Sequence, residues 1–167
     1  ACLVGSEMCI RDRCTSARKN GWGFVDFNRP MCEISLEEQK KDSTFTFCRI
    51  DRIHPDNDGQ MVMAYLFLKA QGLDGNKVSE FLIDAQSSNV VTHKNCKISK
   101  LKKEKNELTF DYLAYALPYP LDSIPRHGWG NQRSQRDAMQ LVPFMEEFNQ
   151  EHFQVINLQK GTYRLTI

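Results

Sequence analysis

The chain has 167 residues, of which 41% are hydrophobic and 26% charged, and its formal net charge is +1. That length holds an ordinary domain with a sizeable core, and that composition excludes wholesale disorder. A charge so near zero gives no global field for nucleic acid or an acidic membrane surface, and the longest apolar run, Met61 to Leu68, is far too short to span a bilayer.

Residues 1–13 carry no amphipathic period and no signal-peptide pattern. Gly5 to Arg13 reads like translated sequencing adapter, so 1–13 are set aside from the fold as a non-native segment. The natural N-terminus and any targeting signal are then expected outside the chain. Trp22 to Phe27 is expected to be a short strand buried on both faces, as in a parallel sheet. Met31 to Lys41, with Glu37, Glu38, Lys40 and Lys41 around Ile34 and Leu36, reads as a short exposed helix, and Thr44 to Phe47 as an extended piece leading to Asp51.

The most informative stretch is Asp51-Arg52-Ile53-His54-Pro55-Asp56-Asn57-Asp58-Gly59-Gln60, followed by Met-Val-Met-Ala-Tyr-Leu-Phe-Leu. Pro55 biases His54 away from helical backbone, which puts it at the end of a loop. Asp56, Asn57 and Asp58 are all suitable N-caps for a helix starting near Gly59, and Gly72 supplies its stop. The helix is apolar enough to be buried all round and so to hold the preceding loop in place. Asp51 and His54 then form a candidate dyad. A serine hydroxyl is a poor nucleophile until an imidazole takes its proton, and a carboxylate on Nδ1 fixes the tautomer that leaves Nε2 as the base. The plainer alternative is a pair of polar residues at a helix start.

Val78 to Asp84 reads as a strand. Asn95 to Lys103 and Glu107 to Tyr112 read as a hairpin around Glu104-Lys105-Asn106, its basic run a solvated face. Ala116 to Asp122 is rigid because of its two prolines. Ser134 to Leu141 is expected to be helical, with Pro143 opening a second short helix that reaches Phe148. His152 to Asn157 and Tyr163 to Ile167 are read as a last hairpin, and the chain stops inside its final strand, as though truncated. Cys2, Cys9, Cys14, Cys32, Cys48 and Cys96 include no Cys-x-x-Cys pair and fit no zinc framework, so free thiols are expected. His93 and Cys96 are a hairpin histidine and a small buried thiol before they are metal ligands. Asn28, Tyr119 and Trp129 are candidates for a substrate rim, the last two as stacking aromatics.

Asp51-x-x-His54-Pro55 with Gly59 and the Met-rich helix, preceded by Val25-Asp26-Phe27-Asn28-Arg29-Pro30-Met31, resembles the last block of the SGNH/GDSL hydrolases and the strand and loop leading into it. The resemblance runs from about Gly21 to the end of the chain. It implies an α/β chain: the C-terminal remnant of a three-layer α/β/α hydrolase fold over 14–76, and an added β-rich hairpin region over 77–167. It implies a serine ester hydrolase of acyl or acetyl esters, with His54 as general base and Asp51 as its orienter. The substrate would be a small ester or an acylated carbohydrate, without cofactor, metal, nucleic acid or membrane span, and extracellular or periplasmic placement is common for such enzymes. The family's Gly-Asp-Ser nucleophile block and its Gly-x-Asn-Asp block are absent, and Lys41-Asp42-Ser43 lacks the glycine and the preceding apolar strand. Nucleophile and oxyanion donors are therefore expected outside the chain, which alone would be inactive. Missing neighbour strands should leave apolar surface exposed around Phe24, Phe27, Met61 and Tyr65. The alternative function is a non-catalytic β-rich module from Val78 onward that binds a glycan or a partner.

Overall fold

A computed structural model of the chain describes residues 4–49, 53–126 and 132–167, and of residues 4–10 the backbone alone. It divides into two compact units, Ala1–Gly72 with Ile124–Leu141, and Leu73–Ser123 with Val142–Ile167. Each is built differently.

The first unit is helical. Helix α1, Val4–Asn20, covers most of the segment set aside as adapter-like. It ends in a left-handed glycine, Gly21 at φ 67°, with the Trp22 N–H donating back to the Ala17 carbonyl at 2.9 Å. The expected strand at Trp22 to Phe27 does not form. The Asp26 carboxylate instead accepts the N–H groups of Asn28 and Arg29 at 3.0 and 3.2 Å. That makes the segment the lead-in to helix α2, Asn28–Gln39, whose first N–H donors have no intrahelical acceptor. An apolar run had suggested a sheet, but the acidic cap inside it decides for a helix start.

Helix α3 runs Asn57–Ala70, with Asp56 in extended backbone at the cap position and Gly72 at φ 68° past its end. It buries one face and not its whole circumference. Asp58, Met61, Val62 and Tyr65 recur at helical spacing and are buried, whereas Phe67 is 47% exposed. Of the apolar surface expected to be open, Phe24 is exposed but Met61 and Tyr65 are in the core. A 3₁₀ turn at Arg136–Gln140 replaces the helix expected over Ser134 to Leu141.

The second unit is a small mixed sheet with a hairpin. Strand β1, Ser79–Asp84, lies between β2, Asn89–Lys94, which is antiparallel to it, and β5, Glu151–Ile156, which is parallel. Strands β3, Cys96–Glu104, and β4, Glu107–Ala114, form the expected hairpin, with Glu104 opposite Glu107 across a turn in which Lys105 has φ 49°. Helix α4 is Phe144–Phe148. The last hairpin is not formed: Tyr163–Ile167 is no strand, and β5 takes a partner from far back in the chain. Phe81, Ile83 and Cys96 make the core, with Ile98, Leu101, Leu108 and Phe110 packed on it. Phe81 stacks on Tyr112 and Phe153 with centroids 5.2 and 4.8 Å away, and meets Phe110 edge-on at 5.7 Å. The described chain is thus mixed α/β, with helices and two small sheets, and a three-layer α/β/α hydrolase fold is not shown.

Since three rings depend on Phe81, Phe81→Ala should destabilise the chain by about 3–5 kcal/mol, the usual cost of emptying an aromatic core position. Urea unfolding checks this; a loss below about 1 kcal/mol would mean that the cluster collapses freely into the space.

Candidate functional site

His54 lies in the first unit, exposed on the loop that precedes α3. The loop is closed at its base by the Asp56 N–H, which donates to the Phe47 carbonyl at 2.7 Å. Gly59, in the first turn of α3, sits directly against this closure. A Cβ there would come within 2.8 Å of the Pro55 Cβ and 3.2 Å of the Phe47 side chain. Absence of a side chain at Gly59 therefore lets Pro55, the residue after His54, pack on the helix start. The Gln60 side-chain amide adds a bond to the Pro55 carbonyl at 3.2 Å.

The first turn of α3 is fixed from elsewhere in the unit. The Asp58 side chain is fully buried, and one of its oxygens takes the Arg133 guanidinium at 3.0 Å while the other takes the Gly59 N–H at 2.8 Å. The Arg133 guanidinium also lies over the Phe45 ring, 4.1 Å from its centroid. The Asn57 side chain donates to the Arg133 carbonyl at 3.1 Å. On the first limb of the loop, Arg49 donates to the Gln132 side-chain carbonyl. The sequence offered Asp56, Asn57 and Asp58 as interchangeable caps, but the Asp56 side chain makes no cap bond, Asn57 binds a distant carbonyl and Asp58 serves the ion pair. Arg49 Nε and Asp56 Oδ2, one on each limb of the loop, are buried with no hydrogen-bond partner, the two such side-chain atoms among the described residues.

An open pocket of ≈ 320 Å³ adjoins this pair, lined by Glu38, Asp42, Phe45, Asp58, Arg133, Asp137, Gln140 and Leu141. Its carboxylates are already engaged. Glu38 pairs with Lys41 at 2.7 Å, and Asp42 accepts from the Thr44 hydroxyl at 2.6 Å, which holds its carboxyl below the ordinary range. Asp137 takes the N–H and hydroxyl of Ser134 at 2.7 and 3.0 Å. His54 is not part of the lining, and we read the pocket as the outer side of the ion-pair network.

The other sequence candidates are dispersed. Asp51 and Trp129 lie outside the described residues. Asn28 is the first residue of α2, its side chain 4.0 Å from the Cys32 thiol. Tyr119 belongs to the second unit. Asn149 clamps its backbone on both sides, at 2.6 and 3.0 Å, and its ring meets Phe144 edge-on. His93 bonds the Cys96 carbonyl through Nδ1 at 3.0 Å, and the Cys96 thiol faces the Glu80 carbonyl, so the two do not converge on a metal position. Cys14 and Cys96 are free thiols. No described helix is long and apolar enough to cross a membrane. Sequence reasoning missed Arg133, Gln132 and Phe45 altogether. An ion pair across 75 positions leaves no periodic trace, and the available signal was an uncompensated acidic run, Asp56 to Asp58, at the head of an apolar helix.

No family model matches the chain, and no curated protein matches it. Among solved structures it is similar to BT4096, a gut microbial diltiazem-metabolizing enzyme, with 50% sequence identity and a TM-score of 0.76. The match covers 88% of this chain and 34% of that one, so the chain spans about a third of the length of that enzyme. This corrects the SGNH/GDSL resemblance. A short Asp-x-x-His-Pro block carried it, and neither a family model nor the described architecture supports it. What stands is coarser: a mixed α/β chain closely similar to part of an enzyme that metabolizes a drug.

Two outcomes follow from this geometry. Gly59→Ala should gain up to about 1 kcal/mol in helix propensity, yet the new methyl meets a proline ring that cannot rotate away, an overpacking cost of about 1–3 kcal/mol. A lowered Tm is expected; an unchanged or raised one would show that Pro55 yields.

The second concerns pH. Burial raises the Asp58 carboxyl above its ordinary range, against the opposing pull of Arg133 and the Gly59 N–H. The folded state thus holds this proton more tightly than the unfolded state. The group's contribution is complete below its unfolded value of about 3.9 and is lost as pH rises through the folded value. Asp58→Asn does not titrate and at acid pH resembles the protonated wild-type side chain, so the cost there should be small, about 1 kcal/mol or less. As pH rises through the folded value the wild type alone loses stability, so the difference should move in the variant's favour towards neutral pH. Urea titrations across that range measure it, and a difference independent of pH would contradict the raised carboxyl.

Proposed function

We propose that the full-length protein hydrolyses an ester of a small organic molecule, with a serine hydroxyl as nucleophile, His54 as general base and Asp51 as its orienting carboxylate. The observation that carries this reading is the setting of His54. It is an exposed imidazole, the residue type best suited to general-base work, on a loop pinned at its base, along α3 and through Arg49. A loop side chain held by a rigid element is the usual carrier of catalysis. The similarity to a diltiazem-metabolizing enzyme supports an enzyme acting on small molecules.

In this reading His54 Nε2 takes the proton of the attacking hydroxyl as its oxygen adds to the acyl carbon, then returns it to the leaving alcohol. The acyl-enzyme is cleared by water through the same base. Asp51 accepts the Nδ1 proton and keeps the ring in one tautomer. Asn28 and Trp129 are the proposed substrate rim, whose replacement raises KM before it lowers kcat.

Short-chain aryl esters and diltiazem are the substrates to offer, with products identified by mass. His54→Ala should lower the acylation rate by several orders of magnitude, and Asp51→Asn by as much or less, with Tm nearly unchanged because His54 is exposed. Equal hydrolysis by wild type and His54→Ala would refute the base assignment. A well-folded protein inert to every ester would favour the glycan- or partner-binding module.

A further inference from the structure

We propose that Arg133 is a positioning residue for His54, acting through the first turn of α3; this rests on the reading of His54 as the base. Arg133 makes three separate ties. Its guanidinium bonds the fully buried Asp58 at 3.0 Å, its plane lies over Phe45, and its carbonyl receives the Asn57 side chain at 3.1 Å. Asn57 and Asp58 follow His54 by only two short steps, Pro55 and Asp56. Pro55 is a fixed ring against Gly59, and Asp56 is bonded to Phe47, so little freedom separates the held turn from the imidazole.

Two features make the tie directional. The residue before Arg133, Gln132, bonds Arg49 on the opposite limb of the loop, so one short segment grips both limbs. The residue after it, Ser134, is locked by Asp137 through its N–H and its hydroxyl, so the segment itself cannot drift. An ion pair that served only to neutralise Asp58 would need neither feature. The guanidinium is also the right group for this place. A planar fork bonds a carboxylate while stacking on a ring, which a lysine ammonium cannot do at once.

The test compares wild type with Arg133→Met, Arg133→Lys, Asp58→Asn and the Arg133→Met/Asp58→Asn double variant in the full-length protein. Three readouts are taken: Tm, kcat and KM for an aryl ester, and the ring-carbon proton resonance of His54. Arg133→Met should lower kcat by about 100-fold, the effect of a displacement near 1 Å, with KM little changed, and should move the His54 resonance. The double variant has no buried unpaired charge, so its Tm should recover while kcat and the resonance stay displaced. Arg133→Lys covers the case in which Arg133→Met does not fold: it keeps the charge but loses the fork, and kcat should still drop. Recovery of kcat and resonance together with Tm in the double variant would overturn the proposal and leave charge neutralisation as the whole role. A Tm loss in Arg133→Met with kcat and resonance untouched would overturn it equally. If His54→Ala proves as active as wild type, the base reading fails separately. The His54 resonance then decides alone: displaced in Arg133→Met, the tie stands; undisplaced, it falls.

Discussion

Asp58 occupies a position where water does not reach, so its charge must be answered from within the protein. Taking a carboxylate out of water costs several kcal/mol even after relaxation, and only Arg133 answers it among the described ion pairs. The pair therefore fixes more than itself. It brings a segment 75 positions away against the head of α3, seats a guanidinium on Phe45 and leaves the Arg133 carbonyl where Asn57 can use it. Phe45 and Phe47, edge to face at 5.3 Å, then lie between that anchor and the Pro55–Gly59 contact. The helical unit is thus organised about one turn of one helix.

How much of this a reader of the sequence could have found depends on how local each cause is. Helices α2 and α3, the β1 strand and the β3–β4 hairpin were legible because their apolar period and turn residues lie within or next to the element itself. Gly72 marked the end of α3 correctly for the same reason. The errors came where a distant partner decides. Glu151–Ile156 had been joined to its sequence neighbour, yet its ladder is with Ser79–Asp84, and nothing in six residues announces a parallel partner across such a gap. Asn89–Lys94 escaped notice because an exposed edge strand carries no alternating apolar signal. At Trp22–Phe27 a local cause was present and misjudged: the Asp26 cap outweighed the apolar residues around it.

The site was partly legible on the same terms. His54 before a proline at a helix head is a local pattern, and the structure puts it on a held loop. A short polar block is nonetheless weak ground for a family, because any helix start with an acidic cap and a proline can produce it. The similarity to BT4096 rests instead on half of the aligned residues being identical along most of the chain. It shows what the chain is similar to without saying which bond is broken. The two sources are complementary: one gives a likeness to part of an enzyme, the other a residue to test.

The buried orphans sharpen the second. An unmatched buried polar atom costs on the order of 1–3 kcal/mol, and native structures keep few. Here the two described ones, Arg49 Nε and Asp56 Oδ2, fall on the two limbs of the His54 loop. A loop under that penalty would relax if it could. It is prevented by the Arg49–Gln132 bond on one limb, and by the Asp56–Phe47 closure and the α3 anchor on the other. Unfavourable polar groups persist where the surroundings over-determine them, and such places are enriched in function. Burial, charge and close contact therefore all converge on the described residues that flank His54: Arg49 on one side, and Pro55, Asp56, Asp58 and Gly59 on the other.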